Sequence, residues 1–142
     1  DVETVSCCDL MEKKVTGYLR STLNATAYFQ PGMSIVFQVL FDYTEPYVFD
    51  AHKIEKLILG RHSDDDESPL DLDFNLHGGP QKGVSRRHAW IIWKAGALHI
   101  IDNGSANGTF LNGAHLTPFE AYKLHDKDTI RLGKLQIEIR LM

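Results

Sequence analysis

The chain has 142 residues, 43% of them hydrophobic, and a formal net charge of −4. This suits one domain with an appendage and provides enough apolar material for a packed core. The negative balance speaks against a general nucleic-acid or anionic-membrane binder, whose footprint is usually a basic surface, but it leaves room for a small positive pocket.

The acidic start, residues 1–6, lacks the basic and apolar regions of a signal peptide. It opens on Asp1 rather than Met, as a piece of a longer chain would. Cys7 and Cys8 are neighbours, a spacing that opposes a disulfide, and no second cysteine pair completes a zinc site. A reduced, cytoplasmic chain without cofactor or metal is expected. Next, Met11, Val15, Tyr18, Leu19 and Leu23 recur at helical spacing behind a candidate N-cap, Asp9, although Gly17 weakens that helix. One apolar stripe of this kind reads first as a linker lying on the neighbouring domain, with docking or dimerisation as the alternative. "QPGM", residues 30–33, breaks the segment, so 1–33 is an N-terminal extension, helical or linker, and 34–142 is the domain.

From Ser34 the period changes to two. "SIVFQVLFD" places Ile35, Phe37, Val39 and Phe41 on one face. "EPYVFDA", "KIEKLILGR", "RHAWIIWK", "ALHIID", "TFLNG" and "TIRLG" follow between turns. "KLQIEIRLM" closes the chain by alternating Leu135, Ile137, Ile139 and Leu141 with polar residues. Roughly nine to eleven short strands indicate an all-β sandwich, more than the minimal seven of an immunoglobulin-like one. Residues 62–84 form a long acidic loop, with a candidate short strand at 72–74. Loops of this length tend to be functional or mobile. Asp64, Asp65, Asp66 and Glu67 read as a solvated insertion, since they lack the spacing of a calcium loop.

Polar groups gather at predicted strand ends. Gly60-Arg61 closes one strand, "SRRH" (85–88) opens another, and Asn103, Ser105, Asn107 and Thr109 lie in the turn between two more. Loops of a sandwich collect at its two ends. If these segments share an end, Arg61, Ser85, Arg86 and Asn107 converge on a patch suited to a phosphate dianion. Guanidinium forks match phosphate, Ser85 adds a hydroxyl, and turn amides form an anion nest. Arg87 is expected to point the other way from Arg86, as neighbours in a strand do. A hydrolase built on Ser85, His88 and Asp102 fails for want of a nucleophile elbow, "NGSANGT" lacks the lysine of a P-loop, and the kinase motifs are missing.

"LGR" (59–61), "SRRHA" (85–89) and "NGSANGTFLNG" (103–113), with the closing "LHDKDTIRLGKLQIEI", resemble the forkhead-associated (FHA) family over residues 34–142. The resemblance implies an FHA-like β-sandwich of about eleven strands that binds phosphothreonine peptides at one end and has no catalytic role. Arg61, Ser85 and Arg86 would hold the phosphate and Asn107 the peptide main chain. Gly60, His88 and Gly108 would be architectural, with His88 bracing the loops. A Ser/Thr kinase would act upstream, and the long loop suits bacterial members. Three departures stand out. Ala106 occupies a position where many members carry a hydroxyl, "GPQKGV" offers only Lys82 as a charge, and the acidic loop follows Arg61 closely enough to repel a phosphopeptide if it folds over the pocket. The competing reading is an interaction or self-association domain that needs no phosphate.

Overall fold

Alternating side chains build the core first. The computed structural model describes residues 33–142, so the predicted N-terminal helix lies outside the described residues. "SIVFQV" forms β1 (Ser34–Val39) and buries Ile35, Phe37 and Val39. Ten further strands follow: β2 (Tyr47–Asp50), β3 (Lys56–Gly60), β4 (Leu72–Asp73), β5 (Arg87–Lys94), β6 (Ala97–Asp102), β7 (Thr109–Leu111), β8 (Ala114–His115), β9 (Ala121–Lys123), β10 (Thr129–Leu132) and β11 (Leu135–Leu141). They make a six-stranded sheet ordered β2-β1-β11-β10-β7-β8 and a five-stranded sheet ordered β4-β3-β5-β6-β9. This is the all-β, eleven-stranded sandwich that the sequence predicts.

The inward faces of the two sheets supply one core. Ile130, Leu132, Leu135, Ile137 and Ile139 come from one sheet, and Leu57, Leu59, Ile91, Leu98 and Ile100 from the other. Each fully buried side chain of this size contributes about 1.5–3 kcal/mol of transfer free energy.

Phe41 departs from the predicted alternation. β1 ends at Val39, and Phe41 stands at φ 65 with 84% of its surface exposed. The turn into β2 explains it. Asp42, next to Phe41, reaches inward to the buried ring of His77 at 2.5 Å, and Tyr47 Oη meets the other ring nitrogen at 2.9 Å. Facing one neighbour inward turns the other outward.

The long loop is anchored to the sandwich. β4 pairs in parallel with β3 through Leu59–Leu72 and Gly60–Asp73. Asp71 Oδ2 accepts from Ile58 N at 2.8 Å, and Asp73 Oδ1 accepts from His62 N at 2.9 Å. Leu72, Phe74 and Val84 are buried, so the loop returns to the core after its exposed acidic part.

Register places the functional turns. Gly60 pairs with Arg87, and Ala89 with Asp102. The end of β3, the start of β5 and the end of β6 therefore share one edge. Leu132 pairs with Thr109 across the other sheet, which brings the β10–β11 turn near the start of β7.

Candidate functional site

Gly60 brings the first two segments together. A Cβ on it would lie 2.0 Å from the carbonyl oxygen of Arg86, so only glycine allows this approach. The register shifts at this point, between Leu59 and Gly60. Arg61 then donates its backbone N–H to Arg86 O at 3.2 Å and its side-chain Nε–H to Val84 O at 2.8 Å. The guanidinium is held by its inner nitrogen, and its terminal nitrogens make no hydrogen bond among the described residues. Arg86 is exposed, while Arg87 is half-buried with Nη1 shielded from water and unbonded among the described residues.

Ser85 sits between these segments and the β6–β7 turn. Its backbone N–H donates to Nδ1 of His88 at 2.9 Å, and its Oγ accepts from Ala106 N at 3.1 Å. The hydroxyl proton has no acceptor among the described residues. His88 is fully buried and donates Nε2–H to Gly108 O at 2.9 Å. Burial pushes its pKa below the usual value, against the opposing pull of the Gly108 bond and of Asp102. A neutral His88 braces two loops from within, as the family resemblance implies.

The turn carrying Asn107 is built on a carboxylate. Asp102 is buried and accepts 2.6 Å bonds from the hydroxyls of Ser105 and Thr109 and a 3.2 Å bond from Ser105 N. Ser105 Oγ in turn accepts from Gly108 N at 3.0 Å. Burial alone would raise the Asp102 pKa, but the hydroxyl bonds of Ser105 and Thr109 outweigh it and the value falls. Asn107 lies exposed at the tip and donates Nδ2–H to Gly83 O at 3.0 Å. Gly83, at φ 82, is a position that the sequence reading missed. A Cβ there would lie 2.6 Å from Asn107 Nδ2.

Arg61, Ser85, Arg86 and Asn107 are therefore linked through backbone contacts at one rim. Ser85, His88 and Asp102 do not form a triad: His88 takes the backbone N–H of Ser85 rather than its hydroxyl, and Asp102 serves Ser105 and Thr109. The acidic loop lies within electrostatic reach of the rim. Asp66 is held below the usual carboxylate range first by its bonds with Ser68 and then by the charges of Arg87 and Arg86.

Donors drawn from three turns at one end of a two-sheet sandwich define a recognition module, in which the sheets hold and the turns bind. The FHA domain model matches residues 57–133, more than half of the sequence, and the chain belongs to that family. FHA domains are interaction modules that bind phosphothreonine peptides, and the family is not catalytic. FhaA of Mycobacterium tuberculosis, an FHA domain-containing protein, is 41% identical over 71 residues, 50% of this chain and 12% of its own length. Protein FraH of Nostoc is 39% identical over 69 residues, 49% of this chain and 24% of its own. The chain thus spans a small part of these relatives. Among solved structures, an FHA domain analysed for phosphothreonine-dependent interactions matches with TM-score 0.58 and 30% identity, covering 75% of this chain and 95% of that one. The FhaA FHA domain bound to the intracellular domain of Rv3910 matches with TM-score 0.57 and 29% identity, covering 75% and 99%.

Proposed function

We propose that Arg61, Ser85, Arg86 and Asn107 form the phosphothreonine site, with Asn107 on the peptide main chain and the other three on the phosphate. The observation that carries this is their convergence at one rim, where Arg61 is held through Nε and its backbone N–H, Arg86 through its carbonyl, Ser85 through its N–H and Oγ, and Asn107 through Nδ2. A preorganised set of charge-assisted donors holds a dianion without any general acid or base. Residues 34–142 act as this domain, without enzymatic activity, and 1–33 as an extension to it. The partner is a protein phosphorylated on threonine by a separate Ser/Thr kinase. The bacterial relatives support a bacterial cytoplasm as its setting. Among the described residues no helix is long and apolar enough to cross a membrane.

The test compares phosphothreonine and unmodified threonine peptide libraries on wild type and Arg61→Ala. Phosphate-dependent binding in the micromolar range is expected. Removing Arg61 should cost about 2–4 kcal/mol, and added salt should weaken wild-type binding. Equal binding of both libraries would instead favour the phosphate-independent interaction domain.

A further inference from the structure

The two sheets differ on their outer faces. In the five-stranded sheet Ile58, Trp90 and Ile101 stand in register across β3, β5 and β6, and Ala121 of β9 continues the row. The next row along the same strands is Lys56, Ile92, His99 and Lys123. Their sequence neighbours Leu57, Ile91 and Ile100 fill the core, so both rows face outward. Ile58, Trp90, Ile92 and Ile101 lie outside the core cluster, and each is half-buried. The six-stranded sheet is more polar on its outer face. There Val48 and Val36 share a row with Arg140, and the next row is Gln38, Glu138 and Thr129. A sheet face open to water carries polar residues, and a contiguous apolar block on it marks an interaction site.

Two donors on the apolar face lack acceptors. Arg87 stands opposite Gly60, two positions from Ile58 on β3, and so shares the outward side with Trp90. Arg87 Nη1 and Trp90 Nε1 are both shielded from water, and neither is hydrogen-bonded among the described residues. Shielded donors in this state call for an acceptor. The face is also edged with cations. Lys56 Nζ lies 4.0 Å from the centre of the Trp90 ring, and Lys123 ends the second row.

We infer that this face is the docking surface for residues 9–23 of the same chain. In that segment Met11, Val15, Tyr18, Leu19 and Leu23 recur at helical spacing and need an apolar surface to lie on. A helix of this length spans about 22 Å, enough to cross four strands set about 4.8 Å apart. The connection also reaches. Ser34 N bonds Met142 O, while Leu40 N bonds Gln136 O beside the β10–β11 turn, so β1 starts at the end away from the rim. Residues 24–32 extend to about 30 Å, and packed sheets lie only about 10 Å apart, so either outer face is within range. The apolar row decides between them. Charge agrees, because residues 1–12 carry Asp1, Glu3, Asp9 and Glu12 and no Lys or Arg. These carboxylates match Lys56, Arg87 and Lys123 and supply the acceptors that the face lacks. A second copy docking face to face would instead set Lys56 and Arg87 against their own kind. The inference stands apart from the rim and from what binds there.

The test places a nitroxide on Cys8 in C7S, where it is the one remaining thiol of the 142-residue chain. Nuclear magnetic resonance then reads which signals the label broadens. The Trp90 indole N–H and the amides of Ile58, Ile92 and Ile101 should lose intensity, while Val36 and Val48 on the other sheet keep theirs. V15D/L19D spoils the apolar stripe without touching the sandwich, and the broadening should disappear. I92E spoils the face instead of the segment and should release it too, with melting temperature as the check on folding. Mixing spin-labelled chains with isotope-labelled chains that carry no nitroxide shows whether a second copy does the docking. The inference is overturned if the broadening falls on Val36 and Val48 or on no resonance, or if it survives in V15D/L19D. It is equally overturned if the mixed sample shows the broadening at full strength.

Discussion

The backbone N–H of Ser85 donates to Nδ1 of His88 across 2.9 Å, and this bond decides where the imidazole carries its proton. With Nδ1 accepting, Nε2 must hold the hydrogen that Gly108 O receives. The imidazole nitrogen shifts of His88 should therefore report a neutral Nε2–H tautomer and remain so below pH 6.5, the usual histidine pKa. Burial, the leading cause, lowers the folded value. Above about pH 6.5 both folded and unfolded forms are neutral and the contribution to stability is whole. Between that pH and the depressed folded value only the unfolded chain takes up a proton, so stability falls as pH falls. His99, also lowered chiefly by burial, acts with the same sign. Urea unfolding between pH 7.5 and pH 5 should show the decline. A flat profile, or a doubly protonated His88 at pH 6, would contradict the assignment.

Gly60→Ala should damage stability and binding together. The added Cβ meets Arg86 O at 2.0 Å and Arg86 C at 2.7 Å, both backbone atoms that move only if β3 and the β5 entry separate. An overpacked contact of this kind costs about 1–3 kcal/mol or more. Separation also breaks the bond from Arg61 N to Arg86 O, so peptide affinity should drop beyond what the lost stability explains. Calorimetric unfolding and peptide titration on the same sample measure both. Unchanged affinity would mean that Gly60 is mere strand spacing.

Asp102→Asn should loosen the turn that presents Asn107. Oδ1 accepts from both hydroxyls and Oδ2 from Ser105 N, so an amide sets its NH2 against either the two hydroxyls or the Ser105 N–H. The expected cost at pH 7 is about 1–3 kcal/mol. The folded pKa of Asp102 is lowered, so its contribution is whole above the unfolded value of about 3.9 and is lost as pH falls through the folded one. The gap in stability between wild type and the variant should shrink when measured at acid pH. A gap independent of pH would point to shape rather than charge.

Much of this fold was legible because the strands obey a period of two. β1, β5, β6, β10 and β11 carry long apolar alternations, and Arg61, Ser85 and Asn107 sit where strand patterns stop. β8 and β9 escaped notice because they are two and three residues long and bury none of them deeply. Phe41 misled because alternation cannot see the inward pull of His77 on Asp42. The loop at 62–84 was legible as acidic, but not that Asp71 and Asp73 within it bond backbone groups that fasten it. The role of Gly83 depends on contact with a residue more than twenty positions away, which no local pattern contains.

Ser85→Ala separates recognition from scaffolding. Among the described residues the side chain makes one bond, as acceptor from Ala106 N at 3.1 Å, in an exposed turn where water replaces it. The structural bond of this residue, to His88, uses the backbone and survives the substitution. The hydroxyl proton, which no acceptor among the described residues takes, is the group the proposed site would lose. A hydrogen bond to a charged group is worth about 1.5–3 kcal/mol, and phosphopeptide affinity should fall by that amount. Surface changes of this kind typically alter stability by only about 0.5 kcal/mol. Isothermal titration with phosphorylated and unmodified peptides, beside urea unfolding, gives the two numbers. Equal losses in binding and stability would show that the Ser85 hydroxyl holds the loop rather than the ligand.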